Sequence, residues 1–240
     1  MLVEATLGGD FIPECSDIDI YVVLRDGDKL EFKKRLKKEA KKVEMRCLSN
    51  LKSIHDEVIS VEVTTIEEVR SGRSFLGAGF EYQNFIRDGK LLWGRDIKGL
   101  IPKPSREAVI ESAKRALMRI YEQIPKWENL ARCLDEFGKE RATRMAFSLI
   151  FRSAAIVLCG RGVYVGGKCE IVSAFRRLYP CENELNGVLD WALEMWRRWA
   201  ENPLHDYEVE RLNEEAFRFV RLLKFRVMDK MISSSIYRKV

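Results

Sequence analysis

The sequence predicts an α/β lobe over residues 1–104 followed by an all-α, helical-bundle lobe over 105–240. Three observations predict it. Short β-branched or alternating apolar runs are confined to the first hundred residues. Pro102 and Pro104 then punctuate the chain, and Ser105 followed by Glu107 and Ala108 reads as a helix start. Beyond that point apolar residues recur at helical spacing almost to the end.

In order along the chain, residues 2–7 and 17–24 read as strands, and Arg25-Asp26-Gly27-Asp28 as a turn. Residues 29–42 read as a helix with apolar positions Leu30, Leu36 and Ala40 and a solvated, lysine-rich outer face. A strand is expected near 43–47. Residues 58–64 are β-branched and alternate, a strand signal, and Thr65 is placed to cap a short helix over 66–71. After a glycine-broken loop, 80–87 reads as helical, Asp88-Gly89 as a turn and 90–93 as the last strand. The second lobe is expected to hold helices over 105–124, 127–137, 139–159, 168–178, 184–201 and 206–232. Gly160-Arg161-Gly162 and Gly166-Gly167 bracket a loop, and Pro180 and Pro203 mark further breaks. A crevice between the lobes is the expected ligand site.

Composition narrows the chemistry. With 46% hydrophobic and 33% charged residues the chain reads as a well-cored protein. No apolar run reaches the roughly 20 residues of a membrane span, so no membrane partner is expected. Glu4 and Asp10 interrupt the apolar start, which argues against a secretory leader. Six cysteines without a Cys-x-x-Cys pair suggest neither a zinc site nor a redox motif, and point to a reducing, cytoplasmic setting. Only His55 and His205 are present, which disfavours histidine-based chemistry and favours carboxylates with a metal. The net charge is +5; the excess sits in the second half of the chain and the first half is close to balance.

The chemistry is expected around Ser16-Asp17-Ile18-Asp19. Two carboxylates two positions apart on a strand point to one face, while Ile18, Ile20 and Val22 point to the other. Such a pair repels itself unless a cation intervenes, and Mg²⁺ suits it because that ion takes oxygen ligands. Glu62 lies on the alternating run Val61-Glu62-Val63-Thr64, facing away from Val61 and Val63. If the two strands are neighbours, three carboxylates converge. That arrangement holds one or two divalent ions and can supply a general base.

These residues resemble the nucleotidyltransferase superfamily of DNA polymerase β. Gly8-Gly9, Ser16-Asp17-Ile18-Asp19 and Val61-Glu62-Val63-Thr64 are most similar to aminoglycoside nucleotidyltransferases of the streptomycin/spectinomycin adenylyltransferase type. The similarity covers most of the chain and includes 148–180, where a helix ends in glycine and a loop delivers a lysine, here Lys168. It implies a nucleotidyltransferase-type catalytic lobe with a mixed sheet over 1–104 and a helical, nucleotide-closing lobe over 105–240. The chain departs from the family where a Gly-Ser pair normally precedes the Gly-Gly turn; counting back reaches Val3-Glu4. Either a start lies upstream, or Gly8-Gly9 serves as the phosphate turn, or the phosphate grip is degraded.

The activity implied is transfer of AMP, or another nucleoside monophosphate, from ATP or another nucleoside triphosphate to a hydroxyl. Asp17 and Asp19 would hold Mg²⁺. Glu62 would act as base or hold a second ion. Gly8, Gly9, Ser16 and Lys168 would contact the nucleotide. The acceptor is a small molecule such as an aminoglycoside, or alternatively a protein or an RNA, and a degenerate member that only binds nucleotide or a partner is a third reading. A homodimer is compatible with the resemblance. For a polycationic acceptor the acidic candidates are Asp135, Glu136, Glu182, Glu184, Asp190 and Glu194, read in preference as solvated helix faces beside arginines. Trp191, Trp196, Trp199 and Tyr207 are read as core in preference to a sugar pocket.

Overall fold

The computed structural model describes residues 2–6, 18–25, 29–47, 59–72, 82, 85–87, 89–131 and 136–228. Most of them are helical, with one small sheet. The chain divides into two compact units, Met1–Ser105 and Arg106–Val240.

The first unit is built on four strands: β1 (Leu2–Thr6), β2 (Ile18–Leu24), β3 (Ile59–Thr65) and β4 (Gly89–Trp93). Their order is β3-β2-β1-β4. β1 runs antiparallel to both β2 and β4, whereas β2 and β3 are parallel, so the sheet is mixed. Parallel neighbours require a crossover, and helix α1 (Lys29–Cys47) supplies it.

Side-chain alternation on β2 and β3 sends apolar residues to both faces. Val22, Leu24, Val61 and Val63 form one core cluster, against which Phe32, Leu36 and Ala40 of α1 pack. The apolar stripe of α1 therefore runs i, i+4, i+8 through Phe32, and Leu30, expected on that stripe, is exposed. The strand expected near 43–47 is also corrected: α1 continues to Cys47. Val43-Glu44-Met45-Arg46 contains no glycine or proline to stop it, and a helix already nucleated propagates at little cost.

The opposite face carries Val23, Val69, Tyr82, Phe85, Ile97 and Ile101, with Tyr21, Ile66 and Ile86 packed beside them. Tyr21 meets Phe85 edge-to-face at 5.7 Å. Helix α2 (Ile66–Arg70) starts as expected at Thr65, whose hydroxyl accepts from the Glu68 N–H while the Glu68 carboxylate accepts from the Thr65 N–H. This capping box fixes the turn by which β3 leaves the sheet. Tyr82 and residues 85–87 are helical, and β4 forms the second sheet edge, interrupted by a register shift opposite Val3 and Glu4.

The second unit contains α3 (Arg106–Ala131), α4 (Glu136–Gly160), α5 (Lys168–Leu178), α6 (Asn183–Glu201) and α7 (Asp206–Leu223), the last ending in a π-helical turn over Lys224–Met228. The break expected between residues 124 and 127 does not occur, because α3 runs through Pro125. That proline is exposed, so the carbonyl freed one turn earlier can reach water. Ile124 beside it is buried and anchors the helix.

Helix α4 is apolar nearly all round and forms the centre of this unit. Its stretch Gly138–Gly160 is long and apolar enough to cross a membrane, yet its most apolar 18 residues are 78% buried within the protein, as befits a core helix. Gly162, at φ +80°, ends it in the left-handed conformation. The Gly162 N–H donates to the Cys159 carbonyl and the Val163 N–H to that of Leu158, a Schellman closure. Helices α6 and α7 lie antiparallel, joined along their length by Glu184–Arg218, by Arg211 over the Trp191 ring, and by Arg198–Glu208.

Candidate functional site

The register of β2 on β3 defines the candidate site. Asp19 pairs with Ser60 and Tyr21 with Glu62. Because paired residues of neighbouring strands share a face, positions 19, 21, 60, 62 and 64 all lie on one side of the sheet. Position 19 is one diagonal step from position 62, which at standard strand spacing is about 8 Å between Cα atoms. On its other side Asp19 pairs with Thr6, the last residue of β1. The segment joining Thr6 to Ile18 thus leaves and re-enters the sheet at this same end.

Gly8, Gly9, Ser16 and Asp17 belong to that segment and lie outside the described residues, and Asp19 is described through its backbone. Glu62 is described in full. Its side chain is 46% exposed, and its Oε2 accepts from Lys33 Nζ at 2.7 Å. Among the described residues, no three His, Cys, Asp or Glu side chains form a metal-holding group.

Lys33 does not stand alone. One turn earlier on α1, Lys29 pairs with Glu68, which also accepts from the Thr64 hydroxyl at 2.9 Å. Lys29 and Lys33 are i, i+4 neighbours beside the Phe32–Leu36–Ala40 stripe. From there they reach carboxylates borne by the edge strand β3 and by α2. The Lys29 ammonium, then the Thr64 hydroxyl, hold the Glu68 carboxyl below its ordinary range. Sequence reasoning assigned these lysines to a solvated face; their position flanking the apolar stripe was the signal that two of them border the sheet.

Lys168 belongs to the second unit, as the first residue of α5 after Gly167. Its ammonium stands 3.8 Å from the centre of the Trp196 ring and 5.9 Å from that of Phe151. Trp196 in turn packs on Phe147 and Trp199, and Arg144 lies over Trp199. The preference for Trp196 as core holds, since it is buried; Tyr207 is corrected, being exposed and stacked on His205 at the start of α7. Two rings at a helix entry can stack on each other without entering the interior, which helical spacing alone does not reveal. Of the acidic candidates, Glu182 and Glu184 face Arg226, Glu184 also meets Arg218, and Asp190 is paired with Arg176. Asp135 lies outside the described residues.

No protein family, curated protein or solved structure was found to match the chain.

Proposed function

We propose that this chain is a Mg²⁺-dependent nucleotidyltransferase that moves AMP, or another nucleoside monophosphate, from a nucleoside triphosphate to an acceptor hydroxyl. The observation that carries the proposal is the β2–β3 register, with Asp19 and Glu62 on one face of adjacent parallel strands. In sequence, Ser16 and Asp17 immediately precede Ile18 of β2, and Gly8-Gly9 follow Thr6 of β1 by two residues. A donor set of carboxylate oxygens fits Mg²⁺, with Asp17 and Asp19 as its holders and Glu62 as a third ligand or as base.

The bound ion would neutralise charge developing on the triphosphate. The acceptor oxygen forms a bond to the α-phosphorus, the bond from that phosphorus to the bridging oxygen breaks, and pyrophosphate carries away the electron pair. As base, Glu62 takes the hydroxyl proton, and Lys33 keeps the carboxylate oriented until the acceptor arrives. Ser16 and the Gly8-Gly9 backbone would hold phosphate oxygens. The acceptor class, small molecule against macromolecule, is left to a screen with labelled ATP.

One observation favours a second reading. The Lys33–Glu62 ion pair already occupies the carboxylate that catalysis needs, as suits a member that binds nucleotide without transferring it. Calorimetric titration of ATP, with and without Mg²⁺, into the wild type and into Asp17→Asn/Asp19→Asn tests the site. Mg²⁺-dependent binding, lost in the variant, is expected. Its absence in folded wild-type protein would overturn both readings, whereas binding without transfer to any acceptor would select the second.

A further inference from the structure

We infer that the outer face of α1 binds the phosphodiester backbone of a nucleic acid. Nine of its nineteen residues are Lys or Arg and three are Glu, a net charge of +6 on one helix against +5 for the whole chain. The rest of residues 1–105 carries nine Lys or Arg against fifteen Asp or Glu, so that unit is neutral overall with its basic residues concentrated on α1, while residues 106–240 carry the chain's +5.

That charge has a geometry. Phe32, Leu36 and Ala40 turn inward to the sheet. At 100° per residue, Lys34, Lys38 and Lys41 fall on a stripe diametrically opposite them. All three are exposed, as is Arg35 beside them. Along the axis the lysines are spaced by four residues and then three, about 6 Å and 4.5 Å, a row suited to successive phosphates. One carboxylate, Glu31, stands at the N-terminal end of the stripe, three residues before Lys34; Glu39 lies on the flank and pairs with Lys42, while Lys29 and Lys33 are drawn away to Glu68 and Glu62.

Chemistry selects the occupant. Stable seating on an anionic bilayer adds a buried apolar face to the charge, and that of α1 is already committed to the sheet. An acidic protein partner needs a desolvated anchor at the centre of its interface, and the centre of this stripe is lysine. A flexible polyanion read only through its charge needs neither, and rows of ammonium groups satisfy it by releasing counterions. This stripe lies on the side of α1 turned away from the sheet, whereas Lys33 on the same helix meets Glu62, and the stripe's test requires neither ATP nor Mg²⁺.

The test is fluorescence anisotropy of a labelled single-stranded RNA and of a DNA duplex of mixed sequence, titrated with the full chain across a salt series. Wild-type protein is expected to bind at least one of them, and the preferred probe identifies RNA or DNA as the source of the phosphates. Lys34→Gln/Lys38→Gln/Lys41→Gln should weaken binding on the order of tenfold and flatten the dependence of log affinity on log salt by about 2 for single strands or about 3 for duplex. The Arg triple at the same positions should bind like the wild type. Arg115→Gln/Arg119→Gln/Lys126→Gln, which removes equal charge from exposed positions of α3, should leave the slope unchanged. Absence of binding, equal loss in the α3 control, or competition by polyglutamate as effective per charge as by RNA would each overturn the assignment. So would tighter binding to phosphatidylserine vesicles. The substituted side chains face away from the core, and circular dichroism is expected to superimpose on the wild type.

Discussion

The two units solve opposite problems. Of the large side chains that are essentially fully buried among the described residues, only Phe85 belongs to the sheet unit; Phe147, Phe175, Phe219 and nine leucine or isoleucine residues belong to the helical unit. Among the described residues the sheet is covered on each face by a single layer, and α1 holds it through charged contacts at the edge as well as through Phe32, Leu36 and Ala40. Candidate chemistry gathers on the unit with the slighter core. Stability resides where apolar chains interlock, and a thin sheet leaves strand ends and carboxylates accessible.

That contrast is broken most forcefully by emptying each core in turn. Phe175→Ala removes a ring packed on Tyr179 and Phe219, and about 3–5 kcal/mol of stability should be lost. Phe85→Ala should cost a similar amount within the sheet unit, where it also strips the support of Tyr21. The readouts should differ: urea unfolding followed by far-ultraviolet dichroism is dominated by the helical unit in the first variant, while Mg²⁺-dependent ATP binding is lost chiefly in the second. Equal effects of both variants on ATP binding would mean that the sheet unit is not the seat of the nucleotide.

The next effect is on turnover. Glu62→Gln should reduce transfer by about 10²-fold or more if Glu62 is the base, while ATP affinity stays within a few-fold. Lys33→Met removes the competitor of a cation at Glu62. A half-exposed ion pair contributes up to about 1 kcal/mol, so the Mg²⁺ midpoint should fall by at most about fivefold. A Mg²⁺ midpoint unchanged in Lys33→Met and Glu62→Gln alike would exclude Glu62 as a ligand and leave it the base alone.

Strands β2 and β3, the Thr65 cap and the glycine stop after α4 were legible in the sequence because each rests on local signals: alternation, a hydroxyl before an acidic turn, a glycine after an apolar run. So was the face shared by positions 19 and 62, once the strands were taken as neighbours. The length of α1, the continuity of α3 through Pro125 and the partner of Glu62 were not. A proline reads as a stop unless one knows that it faces water. A lysine reads as solvated unless one knows that it borders a sheet edge. In each case the missing information is the direction of a side chain relative to a core assembled from distant residues.

The capping box of α2 sharpens the comparison at smaller scale. Thr65→Ala should cost about 1 kcal/mol, visible as a lower urea midpoint for the sheet unit with the helical unit unaffected. At the start of α7, Glu208 makes the corresponding reach back to the backbone of its cap, His205. Its anchor is the carboxylate, which accepts from the His205 N–H at 2.9 Å and from Arg198.

Those two glutamates respond to pH in the same direction for different reasons. Glu208 is held below its ordinary value first by the His205 N–H and then by Arg198; Glu68 first by Lys29 and then by the Thr64 hydroxyl. A carboxyl whose folded pKa is depressed binds fewer protons folded than unfolded within that window. Its contribution is therefore fully present above the unfolded value of 4.5 and is lost as pH falls through the lower folded value. Glu68→Gln and Glu208→Gln should each be less stable than the wild type at pH 7, with the gap closing as pH drops below that value. Salt separates them. The leading contribution at Glu68 is an exposed ion pair, which about 0.5 M NaCl screens. The leading contribution at Glu208 is a backbone hydrogen bond on a buried side chain, which salt hardly touches. Added salt should thus narrow the Glu68→Gln gap in the urea midpoint and leave that of Glu208→Gln nearly intact. Equal narrowing would mean that both carboxylates act through their cations, and that the sheet unit is no more dependent on edge charge than the helical one.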